Sequence, residues 1–450
     1  NRKTQNYLES FWKGLQIVFF FFCFSVIWFN LNTNNASALF TPTLSASIDN
    51  TAASVNGNQV INSAHKTTEI PLNLTVNTNN KTGYTATLNS ETNETALVNN
   101  DSTNGAKINS ISTNLSLNNL PNNTWGYKFG TSTNYAPIPA LSIPAQILQT
   151  SGKTNGNDTN SIKLGMKLSD NLESGRYTNK LIFSILTNNY NRIAIMTEGP
   201  DFNTKLKSLE TDTNKIEHFK KSAMPPVVYM NTVRIDDEES DYEIKLWLDP
   251  SDKTAYYYAE TEKVYLNEDM RYMFLDLSNL TTLDLFNFDT SKVTDMGYMF
   301  AGMSNLATLN ISNFDTSQVT NMERIFADMS SLTALNLSNF NTSQVTDMTY
   351  MFAGMRNLIT LNLSNFDTSK VTDMGSMFAG MHNLTTINLS NFNTSQVTSM
   401  NDMFSDMRNL TTLDLSNFDT SKVTHMGSMF DDMYNLTTLN LSNFDTSKVT

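Results

Sequence analysis

The residues best suited to chemistry in this chain are periodic rather than clustered. At a spacing of 26 residues the chain carries Ser304, Ser330, Arg356, His382, Arg408 and Tyr434. The last four are large side chains with hydrogen-bonding or aromatic tips, and Arg and Tyr are enriched where partners bind. Arg356, His382, Arg408 and Tyr434 are therefore the first candidate binding column. A positive side chain closing a helix also suits the helix dipole, which is a purely structural use of the same residues. A second candidate face, Thr308, Asn310, Thr360, Asn362, Thr386 and Asn388, reads as the outward side of stacked strands about 4.8 Å apart. It is either a solvated face of Thr and Asn hydrogen bonds or a flat recognition surface for protein or glycan.

Metal and catalytic chemistry find little support. His65, His218, His382 and His425 lie far apart with no ligand spacing, and the single Cys23 can form neither an intramolecular disulfide nor a cysteine zinc site. The row Asp289, Asp315, Asn341, Asp367, Asn393, Asp419 and Asp445 offers oxygen donors for calcium. Neutral Asn in two copies interrupts hard-cation ligation, and turn or capping roles account for the row better. A catalytic site is a singular arrangement, whereas almost every polar residue here belongs to a recurring column. No nucleotide-binding glycine loop and no G-x-S-x-G occurs. We expect no enzyme, no metal and no cofactor. The formal charge of -13 disfavours nucleic acid and docking to an anionic membrane through a basic patch.

The elements that must position these columns are set by the repeat. From Leu280 onward, Leu306, Leu332, Leu358, Leu384, Leu410 and Leu436 mark successive copies, preceded by a degenerate one in which Met270, Tyr272, Met273 and Phe274 align with Met296, Tyr298, Met299 and Phe300. Self-similarity at such a period means a stacked or array architecture. Each copy opens with L-x-x-L-x-L at Leu280, Leu283 and Leu285, a short inward-facing strand. Val293, Met296, Phe300 and Met303 come next at intervals of three, four and three, the buried stripe of a short helix. One copy buries too little to offset the entropy of ordering it, so only a stack folds.

The recurring LSNFDTSxVTDMxxMF resembles the BspA-like leucine-rich-repeat family of bacterial surface proteins, and AYYYAETEKVYLNEDMRYMF resembles the segment that leads into such domains. The likeness covers about residues 226–450. It implies a secreted or surface-anchored protein with adhesive roles toward host matrix, host cells or other microbes. One departure stands out: where an Asn ladder usually sits, this chain has Phe288, Phe314, Phe340, Phe366, Phe392, Phe418 and Phe444. An aromatic stack is expected to replace that ladder.

The expected fold is multidomain. Residues 1–38 read as a signal peptide or signal anchor, with Arg2, Lys3 and Lys13 before the apolar run 15–29 and Ala36-Ser37-Ala38 as a cleavage pattern. Residues 39–66 read as a flexible linker. Alternation in 69–76, 83–88, 161–169 and 176–186 predicts an immunoglobulin-like all-β sandwich over 67–187. A connector with a helix spans 188–225, a β-rich N-terminal cap 226–279, and a strand-plus-short-helix leucine-rich-repeat solenoid 280–450. A chain that begins at Asn1 and stops in mid-repeat reads as a fragment. The functional expectation is a binding protein at the bacterial surface, its partner an extracellular protein or glycan, with membrane contact only through the N-terminal segment or a C-terminal anchor. A non-recognising stalk or surface layer is the alternative.

Overall fold

The computed structural model of the protein describes residues 40–450. They form two compact units, Thr41–Asn191 and Arg192–Thr450, both β-rich. The signal segment expected over 1–38 lies outside the described residues. Among the described residues no helix is long and apolar enough to cross a membrane, so the expected anchor helix has no counterpart there.

The first unit contains β1 (Leu44–Ile48), α1 (Gly57–Ile61), β2 (Thr67–Thr78), β3 (Tyr84–Ser90), β4 (Leu97–Asn99), β5 (Lys107–Ser110), β6 (Thr124–Phe129), β7 (Ala145–Gln149), β8 (Asp158–Lys167), β9 (Tyr177–Thr178) and β10 (Leu181–Thr187). A seven-stranded sheet runs β1-β2-β8-β6-β5-β4-β9, and a three-stranded sheet runs β10-β3-β7. Alternation places Leu72, Leu74 and Val76 of β2, Leu88 of β3, Leu164 of β8 and Phe183 of β10 in one shared core. Trp125 is fully buried and satisfies its indole N–H on the Thr95 carbonyl at 2.9 Å. Two expectations are corrected here. The immunoglobulin-like arrangement consists of antiparallel sheets, but β5 and β6 pair in parallel within a seven-stranded sheet. The stretch read as a linker is ordered by pairing: β1 lies antiparallel to β2, and Ile48, Ala53 and Val60 are buried.

The second unit opens with β11 (Ala194–Ile195), α2 (Gly199–Lys207), β12 (His218–Lys221), β13 (Val233–Arg234), β14 (Lys245–Asp249), β15 (Thr254–Tyr258) and β16 (Val264–Tyr265). In the coils beyond them, strand is confined to β17 (Thr282–Leu283), β18 (Phe288–Asp289), β19 (Thr412–Asp414) and β20 (Thr438–Asn440). The segment expected to connect two domains is part of this unit's core. Phe202 of α2 packs edge-on against Phe219 and Phe274 at 5.9 and 5.6 Å. Strand β12 lies parallel to β17, so the opening sheet joins directly onto the first coil and covers its apolar edge.

The strand-plus-helix leucine-rich-repeat solenoid is not what the repeats form. Between Met296 and Met303 the chain makes successive tight turns, and no helix occurs from Ser208 to Thr450. Each coil carries two left-handed residues four positions apart, such as Tyr298 (φ 59°) with Gly302 (φ 75°), and Arg324 (φ 53°) with Asp328 (φ 57°). An α-helix needs φ near −63°, so either residue would end it. Amides turned outward by these bends bond the next coil instead of the same one. Met296, Tyr298, Phe300 and Gly302 donate to the carbonyls of Asn321, Glu323, Ile325 and Ala327 at 2.8–3.1 Å, and the four-bond pattern recurs at every junction from Met270 to Asp431. The three-four-three spacing misleads because Val293, Met296, Phe300 and Met303 are all buried, as a helical stripe would be. The expected strands at 306–311, 332–337, 358–363 and 384–389 are likewise not formed. The coils are tied on the Met296 side at every junction, whereas on the Thr308 side strand pairing is confined to β12 with β17 and β19 with β20.

The interior ladders differ from the expectation too. The continuous aromatic stack is Phe274, Phe300, Phe326, Phe352, Phe378, Phe404 and Phe430, with neighbouring rings 5.7–6.1 Å apart and within 14° of parallel. Phe314, Phe340, Phe366 and Phe392 tilt against that stack rather than forming their own. An Asn ladder survives one residue earlier: Asn339 Nδ2 donates to the Ile311 and Phe314 carbonyls at 3.0 and 2.8 Å. Beside it runs a buried hydroxyl ladder. Thr316 Oγ1 donates to the Asn341 carbonyl at 3.0 Å and accepts the Asn341 N–H at 2.8 Å.

Two measurements test this packing. Thr316→Val keeps the shape but leaves both Asn341 backbone groups unpaired, which costs about 1–3 kcal/mol; a lower urea midpoint is expected, and an unchanged one refutes the ladder's role. In the first unit, Glu69 receives the Tyr135 hydroxyl and the ammoniums of Lys128 and Lys163 at 2.9 and 3.2 Å. Burial opposes ionisation, but these hydrogen bonds outweigh it and lower the carboxyl from 4.5 to about 2. A depressed folded-state value stabilises above the unfolded one and is lost as pH falls through about 2. Glu69→Gln is therefore expected to lower the unit's melting temperature at pH 7, with the gap to the parent closing toward pH 2; a gap independent of pH contradicts this.

Candidate binding surface

Stacked coils convert every sequence column into a physical row. The expected column lies just after the second left-handed residue of each coil, at the turn into the next Leu. Arg356 and Arg408 are exposed, His382 is half-buried, and Tyr434 is 71 % exposed. Three of the four are tied to aspartates. Asp406, itself left-handed at φ 59°, accepts from His382 Nε2 at 2.7 Å and Arg408 Nε at 2.6 Å. Burial raises its carboxyl, but the Arg408 and His382 hydrogen bonds hold it below the usual carboxylate range. The Tyr434 hydroxyl donates to Asp432 Oδ1 at 2.6 Å, and that aspartate's hydrogen bond raises the phenol. Arg356 carries none of these ties. The structure thus joins His382 to Arg408 through Asp406 and leaves Arg356 and Tyr434 as separate points of the same row. The column does not close helices, since none is present in the coils, so the dipole explanation of its positive charge falls away.

The second candidate face is exposed at all six positions, Thr308, Asn310, Thr360, Asn362, Thr386 and Asn388. Its Asn oxygens are engaged locally: Asn310, Asn362 and Asn388 accept the N–H of Ser312, Ser364 and Ser390 at 3.1–3.2 Å. Its first members, Thr308 and Asn310, border a cleft of about 280 Å³ that Phe219, Lys220, Thr282 and Asp284 also line. The aspartate row is used in the same local way. Asp315 Oδ1 and Asn341 Oδ1 each accept the N–H two residues on, at 2.9 and 3.0 Å, which makes an Asx turn equally accessible to both types.

A third row is not evident from the sequence. Tyr272, Tyr298, Arg324 and Tyr350 occupy the first left-handed position of four successive coils, at φ 63°, 59°, 53° and 54°. Tyr272 and Tyr298 lie with ring centroids 5.1 Å apart and planes inclined at 47°. The Arg324 guanidinium sits over both Tyr298 and Tyr350, at 5.3 and 4.0 Å. Beyond Tyr350 the row becomes Ser376, Asp402 and Ser428. Bulky side chains in the left-handed region cost about 1–2 kcal/mol each, and such strain at a surface is a pointer to function. The turn ladder sets successive members of this row side by side. The signal was present in the 26-residue alignment, in which Tyr272 and Tyr298 served only as markers of register. The two variable rows divide the stack: large residues fill the Tyr272 row in the early coils and the Arg356 row in the later ones.

A family profile described as a Mycoplasma protein of unknown function, DUF285, matches residues 268–361 and again 354–450. No curated protein and no solved structure matches the chain. The chain is thus similar to DUF285 over the coils themselves, and that similarity begins at Glu268, beside the Asp269–Asp295 bridge where the inter-coil rungs start.

Proposed function

We propose that the protein is a bacterial cell-surface or secreted binding protein that adheres to an extracellular protein or glycan on host or neighbouring microbial cells. The observation that carries this reading is the contrast between invariant and variable rows. Core rows hold Phe, Met, Thr and Leu in nearly every coil, because each must repeat the same packing. Two outer rows instead change between small residues and large, hydrogen-bonding or aromatic ones within a rigid frame. Rigid presentation lowers the entropic cost of binding, and Arg and Tyr supply contact area. The likeness to BspA-like surface proteins and the apolar segment at 15–29 support an exported location.

A stalk or surface layer is the second reading. Its support is the uninterrupted run of backbone rungs from Asp269 to His425, which would carry load along the stack.

The test uses Arg192–Thr450, cut before α2 because Phe202 and Leu206 belong to that unit's core. It is measured against immobilised matrix proteins, glycans and bacterial cells, beside a variant with Arg356, His382, Arg408 and Tyr434 all changed to Ala. Saturable binding that the variant weakens by about tenfold or more is expected. Binding that survives the change moves the site to another row, and a folded fragment that binds nothing favours the stalk.

A further inference from the structure

The Tyr272 row has a chemistry distinct from that of the Arg356 row. We propose that Tyr272, Tyr298, Arg324 and Tyr350 form a binding site for an uncharged polysaccharide lying along the stack, a role that rests on the chain being a surface binding protein.

Three observations converge. The first is spacing: one ring or guanidinium is presented per coil, and the 5.1 Å between Tyr272 and Tyr298 is comparable to the length of a sugar ring. Rings tilted by 47° do not cover one another's faces, so part of each electron-rich face stays open to the weakly positive C–H groups of a pyranose. The second is unspent hydrogen-bonding capacity. Arg324 Nε is buried without a hydrogen-bond partner, and the Glu323 carboxylate oxygen it faces is 3.8 Å away. Two tyrosines hold the guanidinium flat, and its terminal amino groups, on a side chain that remains half-exposed, are the donors a ligand oxygen can reach.

The third is charge, which selects the class of ligand. Asp269, Asp295, Glu323 and Asp347 stand on the neighbouring columns, against Arg271 and Arg324. Arg271 is already paired with Asp269 at 2.7 Å and lies 3.8 Å from Asp295. Excess carboxylate repels an anionic polymer. A cationic peptide is repelled by the guanidiniums already standing at these rings, Arg271 over Tyr272 at 6.0 Å and Arg324 over Tyr298 and Tyr350. Sugar hydroxyls suffer neither conflict, since they donate to carboxylates and accept from guanidiniums. Large side chains stand here in spite of a backbone conformation that Gly or Asn adopts more readily, as expected of positions kept for contact.

The experiment titrates the full 450-residue chain with soluble mannan, mixed-linkage β-glucan and chitin oligomers, and with heparin and oligolysine as charged comparators. Tyr272→Asn, Tyr298→Asn and Tyr350→Asn are combined in one variant, because Asn tolerates the left-handed region and the coils keep their fold. Saturable binding to at least one neutral polysaccharide is expected, about tenfold weaker or more in the variant, with a melting temperature no lower than the parent's. The variant altered at Arg356, His382, Arg408 and Tyr434 is expected to bind that polysaccharide like the parent. Binding of cells or matrix proteins without any neutral polysaccharide overturns this site and leaves the surface-binding reading standing. Loss of heparin or oligolysine binding in the Asn variant, with none to neutral glycans, also overturns it. A folded chain that binds no cell, protein or polysaccharide overturns both.

Discussion

Four backbone hydrogen bonds between neighbouring coils, donated from positions such as Met296, Tyr298, Phe300 and Gly302, are the constraint on which the rest of the second unit depends. Amides inside a protein must be paired, and this segment pairs them outward to the next coil rather than inward along a helix. That choice holds the coils in register, so residues 26 apart meet. Stacked Phe300-type rings, the Thr316-type hydroxyls and the Asn339-type amides can each form a continuous row only because the backbone rungs align them. The rungs themselves require two left-handed residues per coil, and that requirement is met partly by Gly and Asp and partly, at a cost, by Tyr and Arg.

The same constraint makes the two sides of the stack unequal. On the Met296 side the chain is tied at every junction. On the Thr308 side regular pairing is limited to β12 with β17 at one end and β19 with β20 at the other. Thr and Asn in between keep that side solvated, which fits a face whose polar groups are met by local turns and water. The tied side is where side chains are held most firmly, and it is there that the Tyr272 row stands. A recognition surface gains from such rigidity, since little ordering remains to be done when a partner arrives.

The first unit solves a different problem. Its strands are held by a core shared between two sheets and by polar pairs at the rim, of which Glu69 with Tyr135, Lys128 and Lys163 is the most concentrated. The Asn- and Thr-rich composition that made residues 39–66 look unstructured proves compatible with an edge strand, because its neighbour β2 supplies hydrogen bonds that composition does not reveal.

By itself the sequence determined the 26-residue period, the apolar character of Val293, Met296, Phe300 and Met303, and the outward position of Arg356, Arg408 and Tyr434. Each of these is a property of residue type and spacing, and burial or exposure is tied to it. It did not determine how the chain turns between those residues. Intervals of three and four suit a helix, and they suit equally a pair of tight turns with left-handed residues at Tyr298 and Gly302. Only contact with the next coil separates the two, because the amides that a helix would satisfy locally are satisfied on the neighbouring coil, as Met296 is by Asn321. That long-range choice also decided that Phe300 rather than Phe288 forms the aromatic stack, that Asp406 joins His382 to Arg408, and that Tyr272, Tyr298, Arg324 and Tyr350 share one surface.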